Sequence, residues 1–225
     1  DFGEIYIEKI TAEQIQKILV EKSKRLSAEY VKSIYNLIFV LFNFAERMEY
    51  IKDNVMKKVT PPKREKKVGD DIKIYTQEEL KILSEIVTEN LQPAFQIALN
   101  TGVRAGECYA LRWSDVDFEK NEIKIDKQLQ NYNKKWSFTT LKTSNSYRTI
   151  KISNNFKQYL LKLKEKQELG KEFYKDCYKT NIIIDTRNNK KQPIQVNDFI
   201  NIKPNGEMLN TNSHKVIARK AKQHG

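Results

Sequence analysis

Asn100-Thr-Gly-Val-Arg-Ala-Gly-Glu-Cys-Tyr-Ala-Leu-Arg-Trp-Ser-Asp-Val-Asp117 is the densest run of chemistry in the chain. Gly102 allows a tight turn after a helix and places Arg104 at the N-terminus of a short helix over Arg104 to Leu111. There a guanidinium and unpaired backbone N–H groups could together face a phosphate. Glu107, three residues on, shares that face and is placed to orient the arginine. Spacing leaves a plainer reading equally open, a surface i,i+3 pair worth roughly a few tenths of a kcal/mol.

Immediately upstream, Thr76-Gln-Glu-Glu79 is a capping box that opens a helix to about Thr88, and Pro93 suits the first turn of a helix reaching Asn100. Downstream, Ile123 to Leu129, Lys135 to Leu141 and Arg148 to Ile152 alternate apolar and polar residues, which predicts a small three-stranded antiparallel sheet. A long amphipathic helix over about Asn155 to Leu169, an apolar strand at Ile182 to Ile184, a turn at Gly206 and a basic helix over Ser213 to Gln223 complete this half. Leu141-Lys-Thr-Ser-Asn-Ser-Tyr-Arg-Thr-Ile150 is predicted as a turn between two strands, with Lys142 at its start and Arg148 at its end. A hairpin that projects a cation can enter a DNA groove while Thr143, Ser144 and Ser146 bond to phosphates. An ordinary solvated hairpin tip is the commoner use of such a segment.

Farther upstream, Thr11 caps a helix through about Lys24 with Ile15, Ile18 and Leu19 on one stripe. Ser27 caps a second helix carrying Tyr30, Val31, Ile34, Leu37, Ile38, Leu41, Phe42 and Ala45 at helical spacing. Two helices with so much apolar face do not make a complete domain. The stripes call for further helices, from a preceding portion of the protein or from a partner. Pro61-Pro62 and the basic run behind them end helical structure, so residues 61–75 read as a linker between a helical unit at 1–60 and a second unit at 76–225.

The 225 residues carry 41 Lys and Arg against 29 Asp and Glu, a formal charge of +12. The excess is local: 57–67 holds +5, 124–151 holds +6 and 212–225 holds +4, which leaves −3 for the other 172 residues. Concentrated positive charge fits a polyanion, and nucleic acid is the leading partner. No apolar run is long enough to span a membrane, and no helix pairs basic and aromatic faces as a membrane-surface helix does. Cys108 and Cys177, with only two histidines, assemble neither a disulfide framework nor a zinc cluster, so no metal and no cofactor is expected. Asp1-Phe-Gly-Glu has neither the form of a signal peptide nor an initiator Met, so the chain is expected to be intracellular and to begin mid-protein.

TGVRAGE…LRWSDVD and LKTSNSYRTIKIS together resemble the first arginine motif and the lysine hairpin of the tyrosine recombinases, in particular the integrases of phages and conjugative elements. The resemblance spans most of 76–225, and Ile10-Thr11 with the next two helices looks like the second half of that family's core-binding domain. It implies an α+β fold: a mainly helical catalytic domain with a small antiparallel sheet, preceded by a partial all-helical core-binding domain. By the same resemblance Arg104 stabilises charge on the scissile phosphate, Lys142 protonates the leaving 5′-oxygen and Glu107 supports the arginine. Lys63, Arg64, Lys66 and Lys67 of the linker, with Thr143, Ser144, Ser146 and Arg148, are the expected DNA contacts. The implied partner is double-stranded DNA at attachment sites, with a tetramer formed on it only by the full-length protein, in the bacterial cytoplasm at the nucleoid.

The departures from the family pattern shape the expectation further. No H-x-x-R segment follows, since His214-Lys-Val-Ile217 has isoleucine where the arginine would stand. None of the 11 tyrosines has the sequence context of the nucleophile, and Tyr174 and Tyr178 read as packing residues. The chain is therefore expected to be the middle of an integrase that binds DNA without cutting it. The alternative is a non-catalytic DNA-binding fragment or regulator derived from an integrase. A metal-dependent nuclease using Asp115, Asp117 and Glu119 fits less well, because these lie in a strand-turn segment with no further acidic cluster nearby.

Overall fold

The computed structural model describes residues 3–61, 74–133, 135–187 and 191–209, with 212, 213, 215, 216 and 219. The chain divides into two compact units, Asp1–Lys73 and Ile74–Gly225. Lys63, Arg64, Lys66 and Lys67 of the expected linker lie outside the described residues, as does most of the expected terminal basic helix, His214 included.

In the first unit, α1 (Ala12–Ser23) opens on the expected Thr11 cap: Gln14 N–H donates to Thr11 Oγ1 and Thr11 N–H donates to Gln14 Oε1. Ser27 caps α2 (Ala28–Arg47) by accepting from Tyr30 N–H. Ile15 and Leu19 of α1 bury against Val31, Phe42 and Ala45 of α2, and Ile51, Met56 and Val59 close the cluster. Asn54 holds this return segment from inside, donating to Asn43 Oδ1 and accepting from Met56 N–H. The stripe expected on α2 proves to be two. Ile34 and Ile38 pack on the core, whereas Tyr30, Leu37 and Leu41 stay exposed together with Val40 and Phe44.

The second unit begins with α3 (Gln77–Ile86), opened by the Thr76–Glu79 capping box. Helix α4 (Gln92–Thr101) has Pro93 in its first turn and ends on Gly102, whose φ of +64° is the left-handed cap a glycine adopts without strain. Helix α5 (Ala105–Ala110) follows directly. Among the described residues seven strands then form two sheets: β1 (Val116–Asp117), β2 (Glu122–Ile125), β3 (Gln128–Tyr132), β4 (Lys135–Thr139), β5 (Arg148–Lys151), β6 (Asn181–Asp185) and β7 (Gln192–Val196). One sheet is antiparallel in the order β1-β2-β5; the other runs β3-β4-β6-β7, with β4 and β6 parallel.

The α+β class stands and a three-stranded antiparallel sheet is present, but its members differ from those expected. Ile123 to Leu129 is not one strand; it breaks at Asp126-Lys127 and feeds both sheets. The cause is Lys127, whose ammonium lies inside and donates to Asp115 at 2.6 and 2.7 Å and to Asp126 at 3.1 Å. Leu141–Tyr147 is likewise not a hairpin tip, because β4 and β5 belong to different sheets. It is a crossover, and the hairpin joins β3 to β4 past Asn133 at φ +49°.

Ser153 caps α6 (Asn154–Tyr174), which runs past its expected end and buries Phe156 and Leu160. These meet Ile97, Ile123, Phe138, Ile183, Phe199 and Ile200 in the core, where Phe138 and Phe199 stand 5.7 Å apart between ring centroids. Gly206 turns at φ +81° as expected, and Tyr178 packs partly buried on this core. No helix among the described residues is long and apolar enough to cross a membrane.

Candidate functional site

Arg104 is the N-cap of α5, with extended backbone at φ −67° and ψ 154°. This conformation turns Glu107 back onto it. Arg104 N–H donates to Glu107 Oε2 at 3.1 Å, and Arg104 Nη1 donates to Oε1 at 3.0 Å. The carboxylate has a second arginine partner: Arg148 Nη2, from the start of β5, donates to Oε2 at 2.7 Å. Glu107 is 2% exposed, Arg148 30% and Arg104 74%. A plain surface i,i+3 pair is therefore excluded, because the carboxylate is buried and holds a partner 41 residues away. Burial pushes the Glu107 carboxyl up, and the bonds from Arg148 and Arg104 outweigh it, leaving the group below its ordinary value.

Lys142 is exposed on the Leu141–Tyr147 crossover and has no hydrogen-bond or ion-pair partner among the described residues. Both ends of the crossover are tied down. Gln128 Nε2 donates to Thr140 O at 3.0 Å before it, and Arg148 Nη1 donates to Ser146 O at 2.9 Å at its end. Gln128 also packs against α5, where its Cβ would stand 3.5 Å from a Cβ built on Gly106. The lysine segment is thus anchored to the arginine helix from two sides. Ser144 is exposed, while the Thr143 and Ser146 hydroxyls bond to each other at 2.9 Å.

The remainder of the opening stretch is framework. Arg112 Nε donates to Asp198 at 2.6 Å, and Trp113 Nε1 donates to Gln167 of α6 at 2.8 Å. Asn201, buried, donates to Cys108 O at 2.7 Å and so pins the far end of α5. Burial pushes the Cys108 thiol up to about 12, so it is no nucleophile near neutral pH. Two of the three acidic residues weighed for metal binding have other duties. Asp115 is paired with Lys127, and Asp117 Oδ1 accepts from the N–H groups of Glu119 and Lys120 in a turn. Among the described residues no group of three or more His, Cys, Asp or Glu is arranged to hold a metal ion.

The structure thus joins Arg104, Glu107 and Arg148 by direct bonds and brings the Lys142 segment to them through Ser146. Arg148, expected at a DNA-facing hairpin end, instead turns inward. Its alternation with Ile150 on β5 carried that signal, since both share the less exposed face. Gln128 and Asn201 were missed, and nothing local in the sequence marks them.

Residues 73–216 match the family model described as the phage integrase family. The prophage ps2 probable integrase of Lactococcus lactis is 30% identical over 211 residues, 87% of this chain and 53% of that protein. The ICEBs1 integrase of Bacillus subtilis is 30% identical over 168 residues, 72% of this chain and 44% of its own length. The chain thus spans about half the length of these curated relatives. Among solved structures, the Tn1549 transposon integrase in complex with a circular intermediate DNA shares the fold at a TM-score of 0.68 and 18% identity, over 97% of this chain and 67% of that one. The family match spans the whole second unit up to residue 216, including the Arg104 helix, the Lys142 crossover and both sheets, and the chain belongs to the phage integrase family of tyrosine recombinases.

Proposed function

We propose that this chain is the DNA-gripping and phosphate-activating part of a site-specific recombinase that integrates a mobile element. The observation that carries the reading is the buried Glu107 carboxylate, which holds Arg104 at the start of α5 while most of the arginine side chain stays exposed. In the reaction, a tyrosine oxygen attacks the scissile phosphorus and the P–O5′ bond breaks. Arg104 stabilises charge on the phosphoryl oxygens. Lys142, a cation with no carboxylate partner among the described residues, gives a proton to the departing 5′-oxygen. The 3′-phosphotyrosine keeps the energy of the broken ester, so the reverse attack by a 5′-hydroxyl rejoins strands without ATP.

Lys63, Arg64, Lys66 and Lys67, with Thr143 and Ser144, grip the duplex backbone in this reading, and double-stranded attachment-site DNA is the partner. The complete protein assembles as a tetramer on paired sites. A lambda integrase tetramer bound to a Holliday junction shares the fold at a TM-score of 0.60, which supports the DNA partner. The nucleophile is none of the tyrosines in this stretch, so the 225 residues alone bind DNA and leave it uncut.

Incubation with a nicked attachment-site substrate, resolved on a denaturing gel, tests the reading. Retention of DNA without a covalent adduct is expected; an adduct would show that the nucleophile lies within the chain. Neutralising about six to ten phosphates makes affinity fall ~10³ to 10⁵-fold between about 50 and 200 mM salt. A flat salt response contradicts the polyanion grip.

A further inference from the structure

Arg148 takes no part in the chemistry above, yet it makes the shortest bond in the cluster. Its two terminal nitrogens serve different masters, Nη2 on Glu107 Oε2 at 2.7 Å and Nη1 on Ser146 O at 2.9 Å. A planar guanidinium holds two such acceptors in a fixed fork, which an ammonium cannot do. The exposures of the two arginines also differ: Arg148 is largely covered, whereas Arg104 is largely open.

The competition for Glu107 explains why this matters. A buried carboxylate with a single arginine draws that arginine into a two-toothed pair, which uses two donors and pulls the fork off the surface. With Arg148 on Oε2, the Arg104 side chain meets only Oε1, at 3.0 Å, and its other side-chain N–H groups remain for a ligand. The same Arg148 ties the end of the Lys142 crossover to that carboxylate through Ser146. We propose that Arg148 is a positioning residue, which pins Glu107 so that Arg104 stays presented to a phosphate and which fixes the Lys142 segment beside it. This inference rests on the recombinase reading for its catalytic consequence, and on geometry alone for the clamp.

Two measurements test it. In the 225-residue chain, ¹³C NMR follows the Glu107 carboxyl during acid titration. Arg104 and Arg148 are the charged groups bonded to it, so both are accounted for. Wild type is expected to titrate below the ordinary carboxyl value of about 4.3. Arg148→Ala should raise the midpoint, since the carboxylate stays buried, and Arg148→Lys should fall between. A wild-type Glu107 at or above the ordinary value overturns the clamp whether or not any variant folds.

In the complete recombinase, single-turnover cleavage is measured at saturating attachment-site DNA. Arg148→Ala and Arg148→Lys should each slow cleavage by up to ~10²-fold, the size expected of a misplaced reacting group, while Arg148→Lys keeps DNA affinity and salt slope. In both variants the acid limb of the pH–rate profile should move to higher pH. Lower DNA affinity with unchanged cleavage at saturation makes Arg148 a DNA contact and overturns the proposal. If wild type forms no adduct while Glu107 still shifts in Arg148→Ala, the recombinase reading fails and the clamp stands. If wild type cleaves and both variants match it with Glu107 unmoved, the clamp fails and the reading stands.

Discussion

Glu107 and Lys127 are both charged side chains sealed inside the second unit, one at the start of α5 and the other between β2 and β3, and their surroundings differ in one respect. Glu107 is one anion shared by two cations, and one of those, Arg104, reaches solvent. Lys127 sits among Asp115 and Asp126, Arg187 bonds to Asp185 and approaches Asp126 at 3.7 Å, and Lys124 pairs with Asp126 at 3.3 Å, so that three cations meet three carboxylates and of these six only Lys124 is widely exposed. The first cluster ends in a presented positive charge. The second is closed, and it turns the chain from one sheet into the other. Buried ion pairs of similar chemistry thus serve presentation in one place and architecture in the other, and what separates them is whether the charges balance within the protein.

The closed cluster should be the more costly to open. Lys127→Ala leaves the nearly buried Asp115 carboxylate without its partner, so a loss of ~3–5 kcal/mol in unfolding free energy is expected by urea denaturation. A loss below about 1 kcal/mol would mean that water reaches Asp115 and that the cluster is not the corner it is taken for.

Acid separates the two clusters next. Glu107 is held below its ordinary value, so it contributes stability that is present above the unfolded carboxyl value and lost as pH falls through the folded one. Asp126 and Asp185 are held low in the same sense: burial pushes Asp126 up, Lys127 and Lys124 outweigh it, and Arg187 lowers Asp185 chiefly by hydrogen bonding. Stability measured by urea should therefore fall as pH drops below about 4, near the unfolded values. Glu107→Gln should remove part of that slope and leave the aspartate part. An unchanged slope in Glu107→Gln would break the assignment of a depressed carboxyl to the arginine cluster.

The smallest effect belongs to neither cluster and calibrates both. Thr76→Ala removes the α3 capping box and should cost about 1 kcal/mol in the same denaturation experiment. If it costs as much as Lys127→Ala, the corner has no special standing.

What was legible in the sequence followed the range of the interactions. Thr11, Ser27 and Thr76 cap helices through bonds to residues three positions away, and Gly102 ends α4 by its own backbone freedom, so each declares itself locally. Glu107 shared a face with Arg104 for the same reason. Sheet membership was not local. Ile123, Ile125, Lys127 and Leu129 keep one alternation straight through the break, and the only warning was a lysine in an inward position. Its partner Asp115 lies outside the strand, so the pattern alone predicted one strand where there are two. Arg148 reached Glu107 across 41 residues, and Asn201 reached Cys108 across 93; no periodicity encodes either bond.

In the proposed reaction the open cluster presents Arg104 to the scissile phosphate. Arg104→Ala in the complete recombinase tests it, with attachment-site DNA binding measured beside single-turnover formation of the covalent adduct. Adduct formation should fall about 10²- to 10³-fold, roughly 3–4 kcal/mol of transition-state stabilisation, with DNA affinity nearly unchanged. Cleavage at the wild-type rate, or a loss confined to DNA affinity, would contradict the assignment of Arg104 to the scissile phosphate.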